Sequence, residues 1–288
     1  METLFGALLA LVAAFGWGTS SVLIKVGMRK KSAITVNIIR LYITVLSYLV
    51  LFIFTGSYRE IVNLSWKLIV IAFISGQFGF VVGDYFYFSA LRIMGVSRTV
   101  PITSSYPLWT ILWTWLFLGR QINIQIVLGA FLVFLAIIIV RKGEIEEHLN
   151  PKGFIFALLA PISWSIAIVL LDFLSSQISP ISLAGIRLAF AAMGVSLFLP
   201  KYSMELKKVT KKEIALLSAA ALLGLIIGQY AFVKSVSSVG SQISAPVSAI
   251  NPIISSALAM ALLKEPPNRK IILGLILAVT GVILITTA

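Results

Sequence analysis

The chain has 288 residues, 59% hydrophobic and 11% charged, with a mean hydropathy of +1.05 and a formal net charge of +13. So little polar surface excludes an ordinary soluble domain and points to a membrane protein; the basic residues sit in short loops between apolar runs, a topology signal rather than a nucleic-acid-binding face. The absence of cysteine excludes disulfides and thiol catalysis, and the lone histidine, His148, lies in a hydrophilic loop, so no histidine metal site and no cofactor is expected.

A span needs about 20 apolar residues. Ten candidates follow in order: 4–26, 34–55, 66–89, 96–118, 123–140, 152–174, 180–199, 212–235, 241–263 and 270–287. The first has no basic flank or convincing cleavage site and reads as a helix rather than a signal peptide. A tight turn is expected around residues 90–95. The polar stretch at the midpoint divides the chain into a first repeat, 1–143, a linker, 144–151, and a second repeat, 152–288.

The two repeats match position by position. Gly6, Trp17 and Arg40 recur 147 residues later as Gly153, Trp164 and Arg187. Gly83, Tyr85, Gly95, Pro101 and Pro107 recur 145 residues later as Gly228, Tyr230, Gly240, Pro246 and Pro252. Five helices per repeat is an odd number, so the second repeat is expected to sit upside down relative to the first. The expected fold is all-α, integral to the membrane, with ten transmembrane helices as two inverted five-helix repeats. Loops on one side hold 17 Lys and Arg against 4 on the other, which puts both termini outside the cytoplasm by charge.

An ionisable side chain within the membrane costs roughly 2.5–3.5 kcal/mol on insertion scales, so each needs a partner or a wet cavity. Arg40 and Asp84 lie at a similar depth, ~8–9 Å from the same end at ~1.5 Å per residue, and an ion pair between them is open. Lys25 ends the first helix on that side. Two readings stand: a salt bridge tethering the second and third helices, or a cavity in which Asp84 or Lys25 meets a substrate or a proton. In the second repeat Gln229 replaces Asp84 and Asp172 replaces Lys25, so Asp172 is the nearest candidate partner for Arg187.

The fourth and ninth helices each carry two prolines among polar residues: Pro101 and Pro107 with Ser105 and Tyr106, and Pro246 and Pro252 with Ser248 and Asn251. Proline frees a carbonyl, and freed groups at membrane depth must face protein or water. Local repair of a kink and a polar cavity wall with hinges are both open readings. Trp17, Trp164, Tyr85 and Tyr230 are matched aromatics away from interfacial positions; they fit either close packing or a wall that stacks on a ring. Trp66, Trp109, Trp113 and Trp115 fit an interfacial belt or a lipid-facing surface. The Gly79-x-x-x-Gly83 and Gly224-x-x-x-Gly228 pairs read as packing surfaces.

These residues resemble a known family. Phe15-Gly-Trp-Gly-Thr-Ser-Ser, Ile39-Arg, Tyr87-Phe-Ser-Ala-Leu, Pro107, Leu118-Gly-Arg and Leu128-Gly, then Ser163-Trp-Ser, Ile186-Arg, Ala245-Pro, Asn251-Pro, Leu263-Lys-Glu and Leu273-Gly, resemble the drug/metabolite transporter superfamily, in its ten-helix EamA-like branch. The resemblance spans essentially the whole chain. It implies a carrier of small organic solutes, often outward, through a central cavity lined by helices 1, 3, 4, 6, 8 and 9. The chain departs from the family pattern at Gly119-Arg120, where Leu-Gly-Glu is usual; only Glu265 keeps the acid. Relatives commonly keep both termini in the cytoplasm, opposite to the charge count.

No Gly-x-x-x-x-Gly-Lys-Ser/Thr loop is present, so the chain does not itself hydrolyse ATP to drive transport. The expectation is a secondary transporter, an exporter of small metabolites such as amino acids, in the cell membrane. Its partners are a small-molecule substrate, the lipid bilayer and, as one coupling option, protons; no nucleic acid is expected, and the chain is expected to be a monomer. A cation or drug/proton antiporter is the alternative within transport, but it lacks an acid in the first helix beyond Glu2. A non-transporting membrane scaffold is the alternative of another class. No enzyme constellation is present.

Overall fold

The computed structural model describes residues 2–27, 31–141, 150–263 and 269–288, and among them every regular element is helical. The first repeat comprises α1 (Glu2–Gly27), α2 (Ala33–Thr55), the short α3 (Tyr58–Val62), α4 (Trp66–Gln77), a π-helical segment π1 (Phe78–Val82), α5 (Gly83–Thr103), α6 (Tyr106–Leu118) and α7 (Ile124–Arg141). The second comprises α8 (Pro151–Ser175), α9 (Pro180–Ser196), α10 (Leu199–Leu206), α11 (Lys211–Ala221), π2 (Leu222–Gly228), α12 (Gln229–Val239), α13 (Ser241–Ser248), α14 (Asn251–Leu263) and α15 (Arg269–Thr286).

Five helical stretches among the described residues are long and apolar enough to cross a membrane. A sixth is added if α9 and α10, bent by 89° at their junction, count as one. The other expected spans are divided by helix breaks or are short. The turn expected near 90–95 is absent, since α5 runs unbroken to Thr103. The first repeat breaks instead at Ser104–Ser105, just before Pro107, and the second at Ala249–Ile250, just before Pro252. Both prolines sit at the second residue of a new helix, where the missing amide costs nothing. The second repeat has one further break, at Gly240, whose φ of 79° is a conformation that side-chain-bearing residues rarely adopt.

The repeats are interlocked rather than side by side. Helix α1 packs on α11, π2 and α12, while α8 packs on α4, π1 and α5. Helices α2 and α9 pack on each other, and their ends are joined reciprocally. The Glu60 carboxylate, on α3 just past the end of α2, accepts from the Ser179 amide at 2.7 Å and from the hydroxyls of Ser179 and Ser182. It therefore caps the start of α9. The Glu205 carboxylate, on α10 just past the end of α9, accepts from the Ser32 amide and caps the start of α2. Each cap has the same inner bond, Ser32 to Thr35 and Ser179 to Ser182, both 3.0 Å. The arrangement forces α2 and α9 to run antiparallel, with the two caps at opposite ends of a helix roughly 34 Å long at 1.5 Å per residue.

Burial pushes the Glu60 carboxyl up, but the Ser179 and Ser182 hydroxyls and the Ser179 amide outweigh it and hold the group below the usual carboxylate range. A lowered folded-state pKa contributes stability above the unfolded value and loses it as pH falls through the folded one. Glu60→Gln is expected to cost about 1–2 kcal/mol at neutral pH. Melting curves from about pH 7 to about pH 3 should show wild type and variant converging at the acid end; a constant gap would assign the cap a purely steric role.

Candidate functional site

A cavity of about 700 Å³ lies between the repeats, and its wall is drawn from α1, α2, π1, α5, α6, α8, α9, π2, α12 and α14. Each helix contributes one face at i, i+3, i+4 spacing. On α1 the face is Trp17, Ser20, Ser21 and Ile24; on π1 and α5 it is Phe80, Asp84, Tyr87 and Phe88. In the second repeat it is Trp164, Ala167 and Ile168, then Leu225, Gln229 and Phe232. Arg40 and Arg187 enter from α2 and α9, and Tyr106, Asn251 and Pro252 from the ends of α6 and α14.

The π segments turn backbone carbonyls toward the facing repeat. A π turn leaves backbone carbonyls without their usual helical partner, and such turns recur at functional sites. Here side chains of the facing repeat take them up. The Ser163 hydroxyl donates to the Phe78 carbonyl at 2.7 Å and the Trp17 indole to the Gly224 carbonyl at 3.0 Å. The tryptophans fit because glycines face them. A Cβ on Gly83 would lie 2.4 Å from Trp164 Cδ1, and one on Gly228 would lie 3.2 Å from Trp17 Cδ1. The glycine pairs are thus packing surfaces, and what they pack against is the wall of the cavity.

Asp84 makes no direct ion pair with Arg40, although the two charges lie close enough to attract one another. Its Oδ1 accepts from Trp164 Nε1 at 3.2 Å and its Oδ2 from Asn37 Nδ2 at 3.5 Å, so the carboxylate is turned toward α8 and α2 neighbours instead. Arg40 keeps a buried Nε with no hydrogen-bond acceptor. The expected Arg187–Asp172 pair is likewise absent. Arg187, 2% exposed, donates from Nε to Ser75 Oγ at 2.8 Å, sits 5.7 Å over the Phe80 ring, and leaves Nη1 without an acceptor. Asp172 has a nearer partner: its Oδ1 accepts from Arg120 at 2.8 Å, and its Oδ2 accepts from the Ser241 amide at 2.8 Å and the Ser241 hydroxyl at 2.7 Å. That cluster joins α8 to the ends of α6 and α13, beyond the cavity.

Of the residues picked out by sequence, Trp17, Asp84, Tyr106, Trp164, Gln229 and Asn251 line the cavity together. Ser248 stands one bond behind, 3.2 Å from the Tyr106 hydroxyl. Tyr85 and Tyr230 do not line it: they are 48% and 41% exposed on the outer surface. Each follows a lining residue by one position, about 100° around the helix, and so faces outward. Ser105 donates to the Ile102 carbonyl at 2.7 Å, repairing the helix break rather than facing the cavity. The side chains of Lys25 and Pro101 lie outside the described residues, as does Glu265. Pro107 and Pro246 are buried within their helices, and Pro252 touches the cavity. Trp113, assigned to a belt or a lipid-facing surface, is half-buried and donates to Ser165 at 3.0 Å.

Sequence reasoning missed Asn37, Ser20, Ser21 and Phe232. The signal was present: Asn37 precedes Arg40 by three, Ser20 and Ser21 follow Trp17 by three and four, and Phe232 follows Gln229 by three. Among the described residues no group of three or more His, Cys, Asp or Glu is placed to hold a metal.

A helical membrane protein with a mixed apolar and charged cavity between two matched repeats belongs to the class built to hold a solute within the bilayer. The chain belongs to the EamA-like transporter family, whose model matches residues 4–142 and again 151–287. It is 26% identical over 281 residues to a protein of Archaeoglobus fulgidus named "Uncharacterized transporter", covering 96% of each chain. It is 32% identical over 135 residues to "Uncharacterized transporter YoaV" of Bacillus subtilis, covering 46% of this chain and 45% of that one. A crystal structure of a protein 18% identical in sequence superposes with a TM-score of 0.82, covering 98% of this chain and 96% of the other, which shows a shared fold.

Proposed function

We propose that this protein is a secondary transporter, an exporter of small organic metabolites such as amino acids, working in the cell membrane by alternating access. The observation that carries the reading is the cavity itself, which holds Arg40, Asp84 and Arg187 between the two repeats. A buried charged cavity at a repeat interface is where carriers of this design hold their solute. The antiparallel α2 and α9 support an inverted relation of the repeats, and the matched breaks before Pro107 and Pro252 supply hinges. The ten-helix count requires the run from α4 to α6 to supply two crossings, with α13 and α14 together supplying one. A monomeric carrier is part of this reading.

The direct test is counterflow in proteoliposomes preloaded with single amino acids. Saturable exchange with at least one of them is expected; no exchange with any would remove the amino-acid reading. Asp84 is the proposed proton carrier, so Asp84→Asn is expected to bind solute but to lose accumulation driven by a pH gradient. Accumulation unchanged in the variant would exclude Asp84 from coupling.

A further inference from the structure

We infer that the cavity selects an organic anion: a carboxylate-sized oxyanion on an apolar body, received jointly by Arg40 and Arg187, with an amine tolerated but not required. The inference rests on the transport reading only for its location; the chemistry follows from what the wall leaves unmatched. Two guanidinium groups and one carboxylate face the cavity among its lining residues. The carboxylate is already served, since both Asp84 oxygens accept hydrogen bonds from the protein. The arginines are served only in part, Arg187 by Ser75 through its Nε. Arg40 Nε and Arg187 Nη1 are buried without an acceptor.

Arginine offers five N–H donors and no acceptor, so its missing partner must accept hydrogen bonds. Burying such a charge without a partner is costly, and a planar oxyanion fits the guanidinium fork. A cationic amine satisfies neither arginine. The pair is also placed as a unit: Arg40 and Arg187 are matched residues of α2 and α9, the two helices locked together by the reciprocal caps. Trp17, Phe80, Trp164 and Phe232 give the wall an aromatic part that suits a hydrocarbon body, beside polar side chains such as Ser20, Asn37 and Gln229.

The test uses the full-length protein in detergent and three probes that share one body: 3-phenylpropanoate (acid alone), phenylalanine (acid and amine) and 2-phenylethylamine (amine alone). Inorganic phosphate is the control for the anion without a body. The acid and the amino acid should both raise the melting temperature; the amine and phosphate should not. Arg40→Gln should weaken acid binding at least tenfold, as should the charge-conserving double variant Arg40→Gln/Asp84→Asn, with both melting cooperatively without ligand. Stabilisation by the amine, by inorganic phosphate alone, or by the amino acid but not the acid would overturn the inference. So would the absence of any shift with the acid, or full acid affinity in both Arg40 variants. Flux is read separately. An acid bound through Arg40 but never carried into proteoliposomes removes the transport reading and leaves this one; carriage of the amine with no acid binding does the reverse.

Discussion

Asp172→Ala is expected to destabilise the protein by about 3–6 kcal/mol, the sum of two hydrogen bonds to a buried carboxylate at roughly 1.5–3 kcal/mol each. Asp172 is 1% exposed and holds the Ser241 amide and hydroxyl as well as Arg120. The Ser241 amide is the first of α13, directly after the Gly240 break, so the carboxylate supplies the cap that glycine cannot. The Arg120 side chain is 43% exposed, and water takes over its donors when the acid is gone. Arg120→Ala should therefore cost less, about 1–2 kcal/mol, because the carboxylate keeps both Ser241 bonds. Unfolding in mixed micelles measures both. Equal losses would mean that the ion pair, not the cap, dominates the cluster.

Gly16→Ala is the second large effect. A Cβ at Gly16 would lie 2.4 Å from the Leu223 carbonyl oxygen and 3.2 Å from Gly228 Cα, both backbone atoms of π2 that no rotamer change can move. Overpacking of this kind costs about 1–3 kcal/mol, occasionally more. It also pushes Trp17 away from the Gly224 carbonyl that fixes it, so exchange should fall about tenfold for each 1.4 kcal/mol of binding lost. Gly79→Ala is the control. Its Cβ would meet only Ala167 Cβ at 3.4 Å and Arg187 Nη2 at 3.6 Å, ordinary contact, and alanine is the better helix former. Similar losses in the two variants would point to a general intolerance of these helices rather than to the close approach at Gly16.

The contrast also shows what the sequence could convey. Repeat matching located Trp17, Trp164, Arg40, Asp84 and Gln229, because equivalent positions in two copies carry the same depth. It could not report which way a residue faces: Tyr85 and Tyr230, also matched and open to a cavity-wall reading, stand outside the cavity. Helical spacing from Asp84 and Gln229 would have excluded both. The ion pairs failed for a different reason. Depth alone allowed Arg40 to meet Asp84 and Arg187 to meet Asp172, but competing partners decided the outcome: the Trp164 indole for Asp84 and the Arg120–Ser241 cluster for Asp172. No local pattern announces a hydrogen bond between residues far apart in the chain. The Glu60 and Glu205 caps were hidden likewise, although Ser32 and Ser179, 147 residues apart, and Glu60 and Glu205, 145 apart, were matched pairs in plain view.

Those crossed caps bear on how the chain is made. During synthesis the first repeat enters the bilayer while Glu205 is still to be translated, so the Ser32 amide waits for its carboxylate through most of α8 and α9. Glu60, in turn, has nothing to hold until Ser179 emerges. Neither repeat can finish its own helix ends alone, and each serves as the other's assembly template. Two separately expressed halves should therefore be degraded when made singly and rescue each other when made together.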